Sequence, residues 1–153
     1  MCSSDLGTGF QHGTGPKVVN LPKVGKIFPL ICYEAVFPQD VSAKPERADV
    51  ILQVTNDAWF GKFSGPYQHL AQAQMRSIEQ GLPLVRVANT GVSGLIDPNG
   101  RVVKKLELDE AGYIDVALPK GYLSTLYSRF GHWSVFFLFI CLGISNFIPR
   151  IRH

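Results

Sequence analysis

Cys32 is the residue whose type and position best suit a chemical role in this sequence of 153 residues. It follows the apolar run 24–31 and comes shortly before Pro38, which suits the first turn of a helix. A thiol between a buried strand and a helix lies near the positive end of the helix dipole, which favours the thiolate. Backbone N–H groups after the cysteine could also bind a negatively charged oxygen. Alternatively, Cys32 is a small buried core residue, as free cysteines often are.

Two neighbours of the thiol, Tyr33 and Glu34, are candidate supporting residues. The Glu34 carboxylate, two residues from Cys32, could orient a general base or a lysine. It could equally be a first-turn glutamate that the helix dipole favours. His69 could act as a base for the thiol, or could simply belong to the polar face of a helix.

A candidate pocket follows the continuous apolar run 50–54, which is typical of a strand buried on both faces. In an α/β sheet, the loops after the carboxyl ends of strands gather the site. Asn56 and Asp57 could contribute to such a site, or could only cap the turn. Trp59 and Phe60 could line a pocket for an acyl chain, or could be core aromatics.

Several other kinds of chemistry find no support in the sequence. The three cysteines, Cys2, Cys32 and Cys141, are far apart and do not suggest a disulfide framework. No cluster of His and Cys has the spacing of a metal site, and we expect no cofactor. The net charge of +3 is mild and the Lys and Arg residues are scattered, so we expect no nucleic-acid partner. Cys141 lies in an apolar run and is interpreted as a packing residue.

The elements expected around these residues are those of an α/β domain. A helix is predicted over 66–80, because Ala71, Met75, Ile78 and Leu82 step by four, three and four and so share one face. Asp97-Pro-Asn-Gly100 indicates a turn between two strands. The predicted strands cover residues 17–21, 24–31, 50–54, 84–88, 91–96, 101–106 and 111–118.

The C-terminal part differs in kind, since residues 134–148 carry no charge. A helix of that length spans about 23 Å, against about 30 Å for a bilayer core. Tyr127, His132 and Trp133 could extend the run as an interfacial belt. The prediction is a transmembrane helix over 132–149, with Arg150 and Arg152 on the cytoplasmic side; the alternative is a buried core helix. Residues 1–12 are interpreted as a disordered lead-in or as sequence foreign to the domain.

The segment Leu30-Ile-Cys-Tyr-Glu-Ala-Val-Phe-Pro38 resembles the nucleophile segment of the nitrilase, or carbon–nitrogen hydrolase, superfamily. More narrowly, it resembles the apolipoprotein N-acyltransferase family. Further segments agree in order and spacing: Asn56-Asp-Ala-Trp-Phe-Gly61, Gln68-His-Leu with Arg76-Ser-Ile-Glu79, and Arg86-Val-Ala-Asn-Thr-Gly91. The C-terminal apolar run also matches the N-acyltransferase family, whereas soluble nitrilases lack such a run.

This resemblance implies a partial α-β-β-α sandwich and a Glu-Lys-Cys triad with Cys32 as nucleophile. It implies a two-step reaction at a bacterial inner membrane, with the domain on the periplasmic side. The thiolate takes an acyl chain from a phospholipid and passes it to the N-terminal diacylglyceryl-cysteine of a lipoprotein. Covalent catalysis by a thiol suits such a scheme.

The departure from the family lies before Cys32, where the triad Glu and Lys are expected. No Glu precedes Cys32 here, so only the cysteine can be carried over, and the chain is expected to be an inactive C-terminal fragment. The expected organisation is a half-domain over 13–120, a linker over 121–131, the membrane helix and a cytoplasmic tail over 150–153. Two rival functions remain open: a C–N hydrolase such as an amidase, and an inert membrane-tethered fragment.

Overall fold

The computed structural model describes residues 15–42 and 46–147, which form one six-stranded sheet with helices against it. The strands follow one another in space in chain order. They are β1 (Val19–Leu21), β2 (Gly25–Ile31), β3 (Val50–Asn56), β4 (Leu84–Asn89), β5 (Ser93–Ile96) and β6 (Val102–Leu106). The helices are α1 (Pro38–Ser42), α2 (Ser64–Gln80), α3 (Leu126–Phe130) and α4 (Trp133–Phe147), with short 3₁₀ helices at Cys32–Val36 and Asp57–Phe60.

The central strands β2, β3 and β4 are parallel, and the outer pairs are antiparallel. Parallel strands are usually covered on both faces, which accounts for the apolar runs that predicted β2 and β3. Because the central strands run the same way, their carboxyl ends meet at one edge of the sheet. Cys32 follows β2 at that edge, Asp57 follows β3, and Asn89 ends β4. The mixed α/β fold that the sequence predicted is confirmed.

The apolar core lies between the sheet and the layer that contains α1 and α2. Phe28, Leu30, Ile51 and Leu84 project from the strands and are at most 2% exposed. They pack in one cluster with residues of the helical layer and its connections, namely Ala35, Val41, Ala48, Ala73 and Leu82. Burial of each large apolar side chain contributes about 1.5–3 kcal/mol, so this cluster is the main source of stability for the site edge.

Helix α2 forms as predicted but turns a different face to the core. Met75 and Ile78, from the predicted apolar face, are 49% and 44% exposed. The buried residues of α2 are instead mostly polar: Pro66, His69, Ala73, Arg76, Ser77 and Gln80. The prediction was wrong because these polar groups find hydrogen-bond partners inside the protein, and satisfied polar groups can replace apolar ones at a buried face.

The opposite face of the sheet carries an apolar strip along the site edge. Ile31, Val54 and Val87 are neighbours in the register of β2, β3 and β4. They are 56%, 42% and 52% exposed. The described residues therefore form one sheet with a helical layer on one side.

The strand predicted over 111–118 is absent, and the segment has no regular structure. Most of its residues are exposed, including Tyr113, Val116 and Leu118. A hydrogen bond joins this segment to β6: Lys104 Nζ donates to the backbone carbonyl of Asp115 at 3.4 Å. Alternating apolar residues form a strand only where one face is buried, and this segment buries none.

The C-terminal part contains α3 and α4. Helix α3 lies within the segment expected as a linker, and Thr125 just before it donates a hydrogen bond to the carbonyl of Glu79. Helix α4 carries exposed apolar side chains such as Phe136, Phe139 and Leu142. Among the described residues, none of the helices has both the length and the apolar character needed to cross a membrane. Residues 1–12 and 150–153, and the last two of the expected membrane helix, lie outside the described residues.

Candidate active site

Cys32 lies at the turn from β2 into a 3₁₀ helix, where the sequence predicted a strand-to-helix turn. Its φ of 53° is in the left-handed region, which is uncommon for a residue other than glycine. Such a conformation costs about 1–3 kcal/mol and persists only where the surroundings hold it. The residue is partly exposed, so its thiol can meet a substrate.

The two neighbours of Cys32 have different surroundings. The Glu34 carboxylate accepts a hydrogen bond from the backbone N–H of Ile31 at 2.8 Å, which satisfies a donor at the start of the 3₁₀ helix. This bond fixes the backbone on both sides of Cys32. The Tyr33 ring contacts Phe37, with ring centroids 5.8 Å apart, and lies 6.2 Å from the imidazole of His69.

Beneath the site edge lies a buried polar cluster that we call the Asp57 network: Gln53, Asp57, His69 and Arg86, each at most 2% exposed. Asp57 is at its centre. Its Oδ1 lies 2.9 Å from Nδ1 of His69 and accepts a bond from the Thr55 hydroxyl at 3.1 Å, while its Oδ2 accepts from Arg86. Buried charges persist only when they are paired, and the Asp57 carboxylate is paired with the Arg86 guanidinium.

Gln53 and Arg86 complete the network and connect it to the nucleophile. They are neighbours in the register of β3 and β4. Arg86 donates to Oε1 of Gln53 at 2.6 Å and to the carbonyl of Val92 at 3.1 Å. Gln53 Nε2 in turn donates to the backbone carbonyl of Cys32 at 3.3 Å.

The charges of this network shift two pKa values. Burial alone would raise the pKa of Asp57, but the hydrogen bond from His69 and the charge of Arg86 outweigh it, so the pKa lies below its ordinary value. Burial lowers the pKa of Arg86, and the Asp57 carboxylate opposes that effect. The guanidinium stays charged because its ordinary pKa is far above neutral pH.

The candidate pocket residues after β3 fall into two groups. Asn56 caps the second 3₁₀ helix through a bond from the backbone N–H of Ala58, and also accepts from the side chain of Asn89 at 3.2 Å. Phe60 lies over His69, with ring centroids 5.2 Å apart, and 6.3 Å from Tyr33. Trp59 is 85% exposed, so it is not a core aromatic residue.

A second buried pair ties α2 to the turn of the nucleophile. Arg76 donates to Glu79 at 2.8 Å, and also to the carbonyl of Ala35 at 3.4 Å. Burial raises the pKa of Glu79, although the charge of Arg76 opposes the rise. Ala35 belongs to the same 3₁₀ helix as Cys32, so this pair helps to fix that helix.

The structure thus brings together Cys32, Tyr33, Glu34, Asp57 and Phe60 from the predicted set, with Asn56 at the same edge. Sequence reasoning missed Gln53 and gave Arg86 no role. The signal that could have found them is a single polar residue in the middle of each of two apolar strands.

Cys141, interpreted from the sequence as a packing residue, is exposed on α4. Among the described residues, no group of three or more His, Cys, Asp or Glu side chains could hold a metal ion.

Comparison with known sequences identifies the family. The profile described as carbon-nitrogen hydrolase matches residues 5–127. Apolipoprotein N-acyltransferase from Rickettsia bellii is 52% identical over 124 residues, which cover 80% of this chain and 25% of that protein. Apolipoprotein N-acyltransferase from Rhodopseudomonas palustris is 52% identical over 123 residues, covering 80% of this chain and 23% of that protein. The chain thus spans about a quarter of the length of these curated relatives.

Solved structures agree on the fold. A carbon-nitrogen hydrolase from Helicobacter pylori superposes with a TM-score of 0.58 at 15% identity, over 67% of this chain and 43% of that one. An amidase from Nesterenkonia sp. AN1 superposes with a TM-score of 0.56 at 20% identity, over 85% of this chain and 51% of that one. The profile match, supported by this shared fold, shows that the chain belongs to the carbon–nitrogen hydrolase family.

Proposed function

We propose that this chain is the C-terminal part of an N-acyltransferase that moves a fatty acyl chain from a phospholipid to a lipoprotein. The acceptor is the α-amino group of an N-terminal diacylglyceryl-cysteine. The observation that carries the proposal is the 52% identity, over 80% of this chain, to proteins named apolipoprotein N-acyltransferase. The position of Cys32 at the carboxyl edge of parallel strands supports it, since such edges hold the sites of α/β proteins.

In this reaction Cys32 is the nucleophile. Its thiolate attacks the carbonyl carbon of the acyl ester, and the tetrahedral intermediate collapses with loss of lysophospholipid, which leaves a thioester on the sulfur. The acceptor amine then attacks the thioester, and the thiolate is released as the amide forms. A thioester is reactive enough for an amine to open, which suits covalent catalysis by thiol.

The remaining predicted residues have supporting roles in this scheme. Glu34 holds the backbone beside Cys32 through the N–H of Ile31. Tyr33 and Phe60, which lie near each other over His69, offer an apolar surface to the acyl chain. The triad Glu and Lys that the family resemblance implies are assigned to no residue of this chain.

We further propose that α4 contacts the membrane, within a membrane segment over 132–149. Its exposed side chains are almost all apolar, and Trp133 lies at its start, where an aromatic residue suits a membrane interface. Arg150 and Arg152 would then lie on the cytoplasmic side of a bacterial inner membrane and the sheet on the periplasmic side. The exposed apolar helix favours the acyltransferase over a soluble amidase with the same nucleophile.

A chimera tests the function, because it supplies the parts of the relative that this chain does not span. Residues of this chain replace the matching region of the Rickettsia bellii relative, and acyl transfer from phosphatidylethanolamine to a diacylglyceryl lipopeptide is measured. We expect activity in the chimera and none in its Cys32→Ala variant. A folded chimera that releases free fatty acid to water instead would favour the hydrolase, and one without either activity would favour the inert fragment.

A further inference from the structure

The Gln53 side chain is the direct link between the Asp57 network and the nucleophile. Its Nε2 donates to the carbonyl of Cys32 at 3.3 Å and lies 3.1 Å from Nε2 of His69. Its Oε1 accepts from Arg86 at 2.6 Å. Gln53 is fully buried, so each of these groups depends on the protein rather than on water for its partner.

The orientation of this amide is dictated by its neighbours. Arg86 can only donate, so the atom of Gln53 that faces it has to be the oxygen, and the NH₂ group faces Cys32 and His69. The His69 Nε2 atom therefore accepts, and its Nδ1–H donates to the Asp57 carboxylate. This arrangement of protons satisfies the contacts of Gln53, and it aims an N–H of Gln53 at the carbonyl of Cys32.

Holding this carbonyl also holds the peptide group that follows Cys32. In a trans peptide the C=O and N–H bonds point in opposite directions, so the N–H of Tyr33 points away from Gln53. Since Cys32 is in the left-handed region, its backbone would relax without such a restraint. A backbone N–H next to a nucleophile stabilises a tetrahedral oxyanion only if it is already oriented.

We propose that Gln53, fixed by Arg86 and His69, is a positioning residue that orients the peptide group between Cys32 and Tyr33 for oxyanion binding. The inference rests on the proposed function in one respect only, which is that Cys32 reacts with acyl groups. Gln53 touches no substrate and acts through the backbone of the nucleophile. Its loss should slow reactions that build negative charge on a carbonyl oxygen and spare those that do not.

Two reagents separate these cases on the full chain. Acylation of Cys32 by p-nitrophenyl acetate passes through a tetrahedral oxyanion, whereas alkylation by iodoacetamide displaces iodide without one. Both rates are read by peptide mass spectrometry, with free N-acetylcysteine as the reference thiol, because Cys141 lies on the helix that we propose contacts the membrane. In Gln53→Met and Gln53→Glu we expect the ratio of acylation to alkylation at Cys32 to fall about tenfold, a fraction of the loss caused by removing an oxyanion donor.

The two variants differ in a useful way. Gln53→Glu keeps an oxygen for Arg86 and so preserves that bond, while Gln53→Met removes every polar atom. The matched control is Gln80→Met, which replaces another fully buried glutamine whose Nε2 donates to Ser42. It should lose stability with no change in the ratio at Cys32. A purely structural role for Gln53 predicts that acylation and alkylation change together.

The proposal is overturned if the ratio at Cys32 is the same in the Gln53 variants as in the natural sequence. It is also overturned if the ratio at Cys32 in the natural sequence does not exceed that of free N-acetylcysteine, a measurement that needs no variant to fold. Neither result depends on transfer to a lipoprotein. A lowered ratio in the variants together with an inactive chimera would retain the role of Gln53 and reject the acyltransferase.

Discussion

Gly91 lies directly against the buried carboxylate of Asp57. A Cβ atom at Gly91 would be 2.3 Å from Oδ2 and 2.7 Å from Cβ of Asp57. Both distances are far below van der Waals contact, and Asp57 cannot move away because His69 and Arg86 hold its two oxygens. The loop after β4 therefore closes over the Asp57 network at a position where only glycine fits.

Replacement of Gly91 by alanine should consequently damage the network. We expect Gly91→Ala to lower the free energy of unfolding by about 1–3 kcal/mol, the usual cost of overpacking. Urea denaturation followed by circular dichroism measures it. The control is Gly143→Ala, because a Cβ there meets no atom within 4 Å. Equal unfolding midpoints for the two variants would show that the close packing of Gly91 on Asp57 does not contribute to the free energy of unfolding.

The pairing of Asp57 should make stability depend on pH at acid values. The pKa of Asp57 is lowered from 3.8 in the folded chain, so its ionised form stabilises the fold above 3.8. That stability is lost as the pH falls through the lowered pKa. In Asp57→Asn the buried Arg86 has no charged partner, and we expect a loss of about 3–5 kcal/mol at neutral pH.

The measurement is the urea midpoint of both proteins over a range of pH. The stability difference between them should shrink as the pH falls below 3.8, since the carboxylate that distinguishes them becomes protonated. A difference that stays constant down to the acid limit would mean that Asp57 contributes by its hydrogen bonds alone, without its charge.

The sheet was predictable because its strands carry local signals. Residues 50–54 form an uninterrupted apolar run, and Asp97-Pro-Asn-Gly100 marks the turn between the last two strands. The strand-to-helix turn at Cys32 was predictable for the same reason. The segment 111–118 has the alternation of a strand but no partner that buries one face, and sequence alone does not reveal which segments find partners.

The Asp57 network was harder to predict, because its members lie far apart in the chain. Gln53 and Arg86 become neighbours only through the register of two strands 33 residues apart. The prediction of which face of α2 is buried was wrong for a related reason. Periodicity of apolar residues assumes that the apolar face is buried, whereas α2 buries His69 and Arg76 and leaves Met75 outside. Charged residues at a buried face are recognisable only once their partners are known.

Contact between α4 and a membrane can be tested by a single substitution. Phe139 is 68% exposed on α4, and Phe139→Glu should reduce binding to phosphatidylglycerol vesicles roughly tenfold, since transfer of one large apolar side chain is worth about 1.5–3 kcal/mol. Tyr113→Glu is the control, because Tyr113 is 85% exposed but lies outside the helix. Co-flotation of protein with vesicles provides the readout. Equal binding by both variants would argue that α4 does not contact the lipid.

The chain by itself should not turn over acyl groups. The resemblance implies a Glu before Cys32 as general base, and no Glu precedes Cys32 in this chain. A nucleophile without the groups that act with it loses most of its acceleration, and we expect turnover at least about 10⁴-fold below that of the chimera. Release of lysophospholipid over time measures it. Rapid turnover by the 153-residue chain would mean that Cys32 reacts without that Glu.

Trapping the covalent intermediate shows whether Cys32 carries the acyl group. The chimera is incubated with phosphatidylethanolamine and no acceptor, quenched in acid and mapped by peptide mass spectrometry. We expect a fatty acyl adduct on Cys32 that hydroxylamine removes and that the lipopeptide acceptor discharges. An active chimera with no adduct on Cys32, or with the adduct on another residue, would contradict it.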